Sequence, residues 1–410
     1  MKKIHRYILA SSVLSLPILA QAQSPIPNSG GDNEETGLIE EIFKVKDSQD
    51  KFHLYLNTQM GFNLDWNGTG GDEFQGGNFK ARQLRLEMKG NINDWLAYRF
   101  RVRFNKSNPD MSNFDNVMKN IDYAEVTFKH KDFSLAIGKQ CTAYGGIEFD
   151  LNPIEIYQYC DMVDYMDNYM TGVRAAWQIK PTQQLQLQIL NSTALNPGYM
   201  YGENIEKAKL PLLYTLNWNG DFGGDLFSTR YSVSFMNEIK GRHLWYLAFG
   251  HNFNFTPKWG AYFDVMYMRE GIDRQGIITG ITGQRDKVTV DRDGVPTEIG
   301  RNVYNTQYLS LVLHTNYFVH PKWNVFGKVA WEPNGVYKTN GDIRKGTYSI
   351  DWLYIGGIEY YPMKNRGLHF FLTYVGQNVH SLQKAMAYGR PKNSFSNRLT
   401  TGFIWQIPIF

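Results

Sequence analysis

Trp95-Leu96-Ala97-Tyr98-Arg99-Phe100-Arg101-Val102-Arg103-Phe104-Asn105 is the stretch that decides the fold. Successive side chains of a strand point to opposite faces. Leu96, Tyr98, Phe100, Val102 and Phe104 therefore share one face, and Ala97, Arg99, Arg101, Arg103 and Asn105 share the other. The same period returns in Gln184 to Ile189, where Leu185, Leu187 and Ile189 alternate with Gln184, Gln186 and Gln188. It returns again in Tyr304 to Tyr317, with Leu309, Leu311, Leu313 and Tyr317 against Ser310, His314 and Asn316. In the last strand Thr401, Phe403, Trp405 and Ile407 oppose Gly402 and Gln406. A soluble sandwich buries one such face. Long strands that also carry Arg, Gln, Asn and Gly opposite it fit a wet lumen better, with the apolar face in lipid.

Composition agrees. Aromatic residues make up 15% of the 410 residues and glycine occurs 38 times, yet mean hydropathy is negative, as expected when apolar and polar residues alternate. No run past the N-terminus has 18 consecutive apolar residues, so no helix is expected to cross a membrane.

The N-terminus reads as a secretory signal peptide over 1–22. Lys2, Lys3 and Arg6 precede the apolar stretch Tyr7 to Ala20, and Ala20-Gln21-Ala22 offers the small residues of a cleavage site. Removing those three basic residues lowers the formal charge from +4 to about +1, too balanced to point to nucleic acid. Residues 23–50 are expected to form a periplasmic segment outside the main domain at 51–410. In it Leu38, Ile39, Ile42 and Phe43 fall on one face of a possible short helix.

Sixteen strands are expected, at about 52–65, 79–90, 95–105, 121–129, 132–140, 169–180, 184–191, 210–219, 225–237, 242–256, 259–269, 304–319, 323–332, 350–361, 367–376 and 396–410. Most connections from an odd to an even strand are long, at 66–78, 106–120, 141–168, 192–209, 270–303, 333–349 and 377–395. Those from an even to an odd strand are short, as at His130-Lys131, Pro181 to Gln183 and Pro257-Lys258. Short turns on one rim and long loops on the other mark an all-β transmembrane antiparallel β-barrel of the Gram-negative outer membrane. Trp95, Trp259 and Trp323 each follow a short turn, which places them in a periplasmic aromatic girdle. The terminal Phe410, after an alternating strand, resembles the signal read by the barrel assembly machinery.

Phe79 to Phe104 (FKARQLRLEMKGNINDWLAYRFRVRF), Ile121 to Gly138 (IDYAEVTFKHKDFSLAIG) with Lys139-Gln140, Val325 to Lys328 and Ile355 to Pro362 (IGGIEYYP) together resemble the phosphate-selective porin O and P family in its Bacteroidetes form. The resemblance spans roughly 51 to 410. It implies a homotrimeric 16-stranded porin whose third extracellular loop folds inward. It also implies passage of small hydrophilic solutes or anions, contact with outer-membrane lipid and lipopolysaccharide, and no cofactor.

Arg99, Arg101 and Arg103 lie about 6.6 to 6.8 Å apart on one face. Arg85 and Lys89 of the preceding strand, with Arg174 and Lys328, complete the basic residues expected to line the pore, where they would concentrate anions. The third loop, 141–168, carries Glu148, Asp150, Glu155, Asp161, Asp164 and Asp167 and no Lys or Arg. That acidity departs from what a phosphate-selective pore requires. An acidic loop facing a basic wall suggests instead a transverse field and weak anion preference. The spacing of Asp161, Asp164 and Asp167 alone does not define a metal site. Cys141 and Cys160 fall in the same loop in a compartment that allows disulfides, so a bridge is expected. No phosphate loop, zinc-ligand cluster or nucleophile elbow suggests an enzyme. The remaining alternatives are an oxyanion-selective porin and a barrel whose long loops 270–303 and 377–395 serve as an adhesin or receptor.

Overall fold

The computed structural model describes residues 51–69, 71, 73–105, 117–192, 201, 205–224, 226–283, 289–290, 296–297, 303–363 and 367–409. The expected signal peptide at 1–22, the expected periplasmic segment at 23–50 and Phe410 lie outside them.

A closed barrel forms from β1 (His53–Gly68), β2 (Glu73–Asn93), β3 (Leu96–Arg103), β4 (Ile121–His130), β5 (Phe133–Cys141), β6 (Tyr169–Lys180), β7 (Gln183–Asn191) and β8 (Lys207–Phe222). It continues through β9 (Phe227–Ile239), β10 (Arg242–Thr256), β11 (Trp259–Ile272), β12 (Tyr304–His320), β13 (Trp323–Val336), β14 (Gly346–Tyr360), β15 (Leu368–Ser381) and β16 (Asn393–Pro408). All sixteen expected strands are present. Each pairs antiparallel with its sequence neighbours, and β1 closes on β16 from Tyr55 opposite Pro408 to Gly68 opposite Phe395. Closure leaves no edge, which is what allows a sheet to cross lipid.

The two faces separate as the alternation requires. Leu187 is 51% exposed on the outside, whereas Gln186 is 5% and Gln188 1% exposed within. Leu313 and Tyr317 face outward and Ser310 and Asn316 inward. Trp95, Trp259 and Trp323 are all exposed beside short turns, and Phe133 stacks on Trp177 at the same rim.

Several connections are shorter than expected. The one placed at 66–78 is largely strand, since β1 runs to Gly68 and β2 starts at Glu73. Likewise β13 extends to Val336, β14 begins at Gly346, β15 reaches Ser381 and β16 begins at Asn393. These extensions rise past the apolar belt. In β2, Phe74, Gln75 and Asn78, ahead of the expected start at 79, are all exposed, so no alternation of buried and exposed residues marks them as strand.

The buried core lies between residues 142–168 and the wall. That segment holds α1 (Ile147–Asp150), a 3-10 turn (Pro153–Glu155) and α2 (Asp161–Tyr165). Ile147, Leu151, Ile154, Met162 and Val163 pack with Tyr246, Tyr262, Met266, Met268 and Phe326 of the strands. Close approach occurs at Gly250, where a Cβ would lie 2.7 Å from the Gly146 Cα, so only glycine fits under the loop.

Candidate functional site

Residues 142–168 are held by carboxylates of the wall. Asp264 of β11 accepts from the Ile147 amide at 2.7 Å and the Glu148 amide at 2.9 Å, at the start of α1. Glu332 of β13 accepts from the Asp161 amide at 2.9 Å and the Met162 amide at 3.2 Å, at the start of α2. Both carboxylates thus meet amides that a helix leaves unpaired at its first turn. Glu359 of β14 accepts the Tyr157 hydroxyl at 2.7 Å. None of these three acids was singled out from the sequence; each is an inward position of an alternating strand, which was the signal available.

The acidic residues of the segment do not form one facing set. Glu148 is fully buried, pairs with Lys328 and accepts from the Cys160 amide at 2.9 Å. Asp150 pairs with Arg230 at 2.8 Å, and Asp167 with Arg274 at 2.5 Å. Asp161 accepts from Gln377 at 3.2 Å, so Asp161, Asp164 and Asp167 do not converge on a common point. Burial, then the nearby Glu148, raises the Asp164 carboxyl above its usual range.

The arginines of β3 are neutralised by their own wall rather than by the loop. Arg99 pairs with Glu87 at 2.7 Å and lies 3.8 Å from the centre of the Tyr123 ring. Arg85 at 3.5 Å, Arg101 at 3.2 Å and Arg103 at 2.9 Å converge on Asp122. Arg101 also donates to the Tyr169 hydroxyl at 2.5 Å. Arg174 approaches Glu125 at 3.8 Å, and Lys89 lies 5.1 Å from the Tyr55 ring centre. The ion-pair partners of Arg99, Arg101 and Arg103 are thus wall residues, while Arg85 and Arg103 share a cavity with Asp164 and Asp167 of the loop.

The disulfide is corrected too, because Cys141 and Cys160 are free thiols. Cys160 is fully buried with its amide on Glu148, while the Cys141 carbonyl at the end of β5 accepts from Gln188 at 2.9 Å. Burial holds the Cys160 thiol well above its usual pKa, which keeps it protonated and unreactive.

Two cavities meet at Ile156, Tyr157 and Gln158. The larger, about 800 Å³, is lined by Lys80, Arg82, Arg85, Arg103, Lys119, Lys139 and Arg398, with Asp164 and Asp167 the acids among its lining residues. The smaller, toward the short-turn rim, is lined by aromatic and uncharged polar side chains together with Glu155, Glu359 and Lys328. Arg82 and Arg398 both donate to the Tyr157 carbonyl, at 2.7 Å and 3.2 Å.

A closed 16-stranded antiparallel barrel with an apolar outer face and a basic interior cavity is a porin-like channel of the outer membrane. The chain belongs to the phosphate-selective porin O and P family, whose model matches residues 52–406. Among solved structures it is similar to the outer membrane channel DcaP of Acinetobacter baumannii, at 14% identity and TM-score 0.58 over 88% of this chain and 99% of that one. It is also similar to an anion-selective porin from Comamonas acidovorans, at 8% identity and TM-score 0.54 over 87% and 99%. OmpF of Salmonella typhi in complex with daunomycin matches at 13% identity and TM-score 0.52 over 87% and 99%. No curated protein matches the chain. Likeness at these identities concerns the fold alone. Membership in a porin family makes the chain a non-enzymatic barrel.

Proposed function

We propose that the barrel is a passive diffusion pore for small hydrophilic solutes with a weak preference for anions, narrowed by residues 142–168 folded into its lumen. The observation that carries this reading is the 800 Å³ cavity, which seven cationic side chains line against two carboxylates. In a confined, partly dry space such an excess raises local anion concentration. Lys328, Arg174 and Lys89 add to the basic wall, while Glu148, Asp150, Asp161 and Asp167 chiefly anchor the narrowing segment and Glu155 lines the smaller cavity. Asp164 is the acid that moderates the field. Export through the 1–22 signal, insertion by the barrel assembly machinery, contact with lipopolysaccharide and a homotrimeric assembly belong to the same reading. Single-channel recording under a salt gradient tests it. The expected result is a steady conductance with a reversal potential on the anion side. A barrel that does not conduct, or a cation preference, rejects the proposal. A micromolar phosphate block of chloride current would instead favour an oxyanion-selective pore.

A further inference from the structure

The smaller cavity differs in chemistry from the larger one. It leaves about 70 Å³ for the centres of water molecules, which is room for about five waters or one small ring. A column of rings borders it: Tyr262 stacks on His314 at 4.8 Å, His314 on Phe326 at 6.0 Å, and Phe326 on Tyr157 at 5.2 Å. Its nearby charges are already engaged. Glu359 accepts from Tyr157, Tyr361 and Asn324, and Lys328 is tied to Glu148 and the Gln158 carbonyl.

Uncharged polar groups remain. Asn316 is 2% exposed, and neither its Oδ1 nor its Nδ2 has a hydrogen-bond partner among the described residues. The same holds for Asn324 Oδ1, His314 Nδ1 and His369 Nε2. Buried polar atoms without partners are costly, so a cluster of them around one cavity needs an occupant that both donates and accepts. No free charge selects an ion. Ring walls suit an apolar edge, and a hydroxyl is the group that both donates and accepts.

We propose that this cavity is a subsite for one uncharged, polyhydroxylated ring, a neutral monosaccharide, on the periplasmic side of the Ile156–Gln158 partition. The ring's C–H edge lies along the aromatic column, and its hydroxyls bridge Asn316, Asn324 and His369. A solute leaving the basic cavity meets this site next, so the pore would retain sugars briefly while passing chloride. The inference rests on the pore reading only for that route, since binding itself does not require conductance.

Glucose is the probe. Added to the purified barrel in a planar bilayer, it is expected to reduce chloride current saturably at millimolar concentration. Saturation-transfer NMR on the detergent-solubilised barrel is expected to mark glucose protons as bound. Asn316→Leu, chosen because it keeps the branched shape and number of heavy atoms, should raise the half-blocking concentration about tenfold by removing paired hydrogen bonds. His369→Phe should act in the same direction, and heat-modifiable electrophoresis reports whether each variant folds. Absence of both saturable block and NMR transfer in a barrel that conducts chloride overturns this inference and leaves the pore intact. A barrel without conductance overturns the pore, and the NMR result then decides the sugar site alone. Equal block in wild type and both folded variants also overturns it, because glucose would then bind elsewhere.

Discussion

The Tyr157 hydroxyl donates to Glu359 of β14 at 2.7 Å, while the carbonyl of the same tyrosine is held by Arg82 of β2 and Arg398 of β16. Its ring is stacked on Phe326 of β13 and meets Phe371 of β15 edge-on at 4.9 Å. One residue thus connects the 142–168 segment to five strands. It also lines both cavities, whose linings differ in charge.

Tyr157→Phe removes the hydroxyl and leaves a Glu359 oxygen short of one donor, at a cost of about 1–3 kcal/mol to docking of the segment. Open-channel current noise is expected to rise with little change in mean conductance. Tyr157→Ala also removes the ring contacts and should raise the mean conductance. Single-channel recordings that find neither change would mean that this tyrosine does not hold the partition.

Asp122 is the shared counter-ion of Arg85, Arg101 and Arg103 and is fully buried. Replacing it by Asn leaves three guanidinium groups around a neutral amide. Breaking such a buried set costs about 3–5 kcal/mol. The temperature at which the folded band converts on electrophoresis should fall clearly, and anion preference should rise as one negative charge leaves the wall.

Strand alternation made the barrel legible because lipid outside and water inside impose a period of two on the spanning residues. It failed where the period breaks. Between Gln59 and Met60 the β1–β2 register shifts, and Arg82 becomes the extra residue that turns inward beside Gln83. Between Arg101 and Val102 a second shift does the same for Asp122, next to the already inward Tyr123. Two residues that organise the basic wall are therefore invisible to strict alternation. Arg398 kept the period, on the same face as Gly402 and Gln406, and was readable. The pairing of the loop acids was not, because spacing along a loop says nothing of which distant strand each carboxylate meets.

The membrane reading is tested by two adjacent residues. Lys at Leu187, which faces outward, should cost about 2–4 kcal/mol if it lies near the bilayer midplane. Lys at Gln186, which faces inward, should cost far less. Folding efficiency into lipid vesicles measures the difference. Equal tolerance at both positions would contradict a lipid-facing exterior.

Selectivity should depend on pH through Asp164, which lines the basic cavity and whose carboxyl burial raises above its usual range. As pH falls through that raised value the carboxylate takes up a proton and its negative charge disappears. The cavity then becomes more positive, so anion preference should increase on mild acidification, before ordinary surface carboxylates near 4 titrate. Asp164→Asn should show the acid-form selectivity at all pH values and lose this dependence. A wild-type reversal potential that stays flat from neutral to mildly acidic pH would exclude Asp164 from the ion path.

Arg82 and Arg398 provide the decisive test of the basic cavity, because both line it and both hold the loop. Both guanidinium groups donate to Tyr157, yet the Nε of each has no hydrogen-bond partner among the described residues. Arg101 and Arg103 lie within ion-pair distance of Asp122, whereas Asp65 acts on Arg82 and Arg398 from farther away. A charge acts on a passing ion according to its distance from the path, and restricted water strengthens it. Replacing Arg82 and Arg398 together by Gln keeps some capacity to donate to the Tyr157 carbonyl while removing two positive charges. The reversal potential should move toward cations by more than in the Arg101→Gln, Arg103→Gln double variant, because Arg101 is buried and does not line the cavity. If the second pair produces the larger shift, the conducting path runs along β3 rather than between β2 and β16. If neither pair shifts it, current does not pass through this cavity.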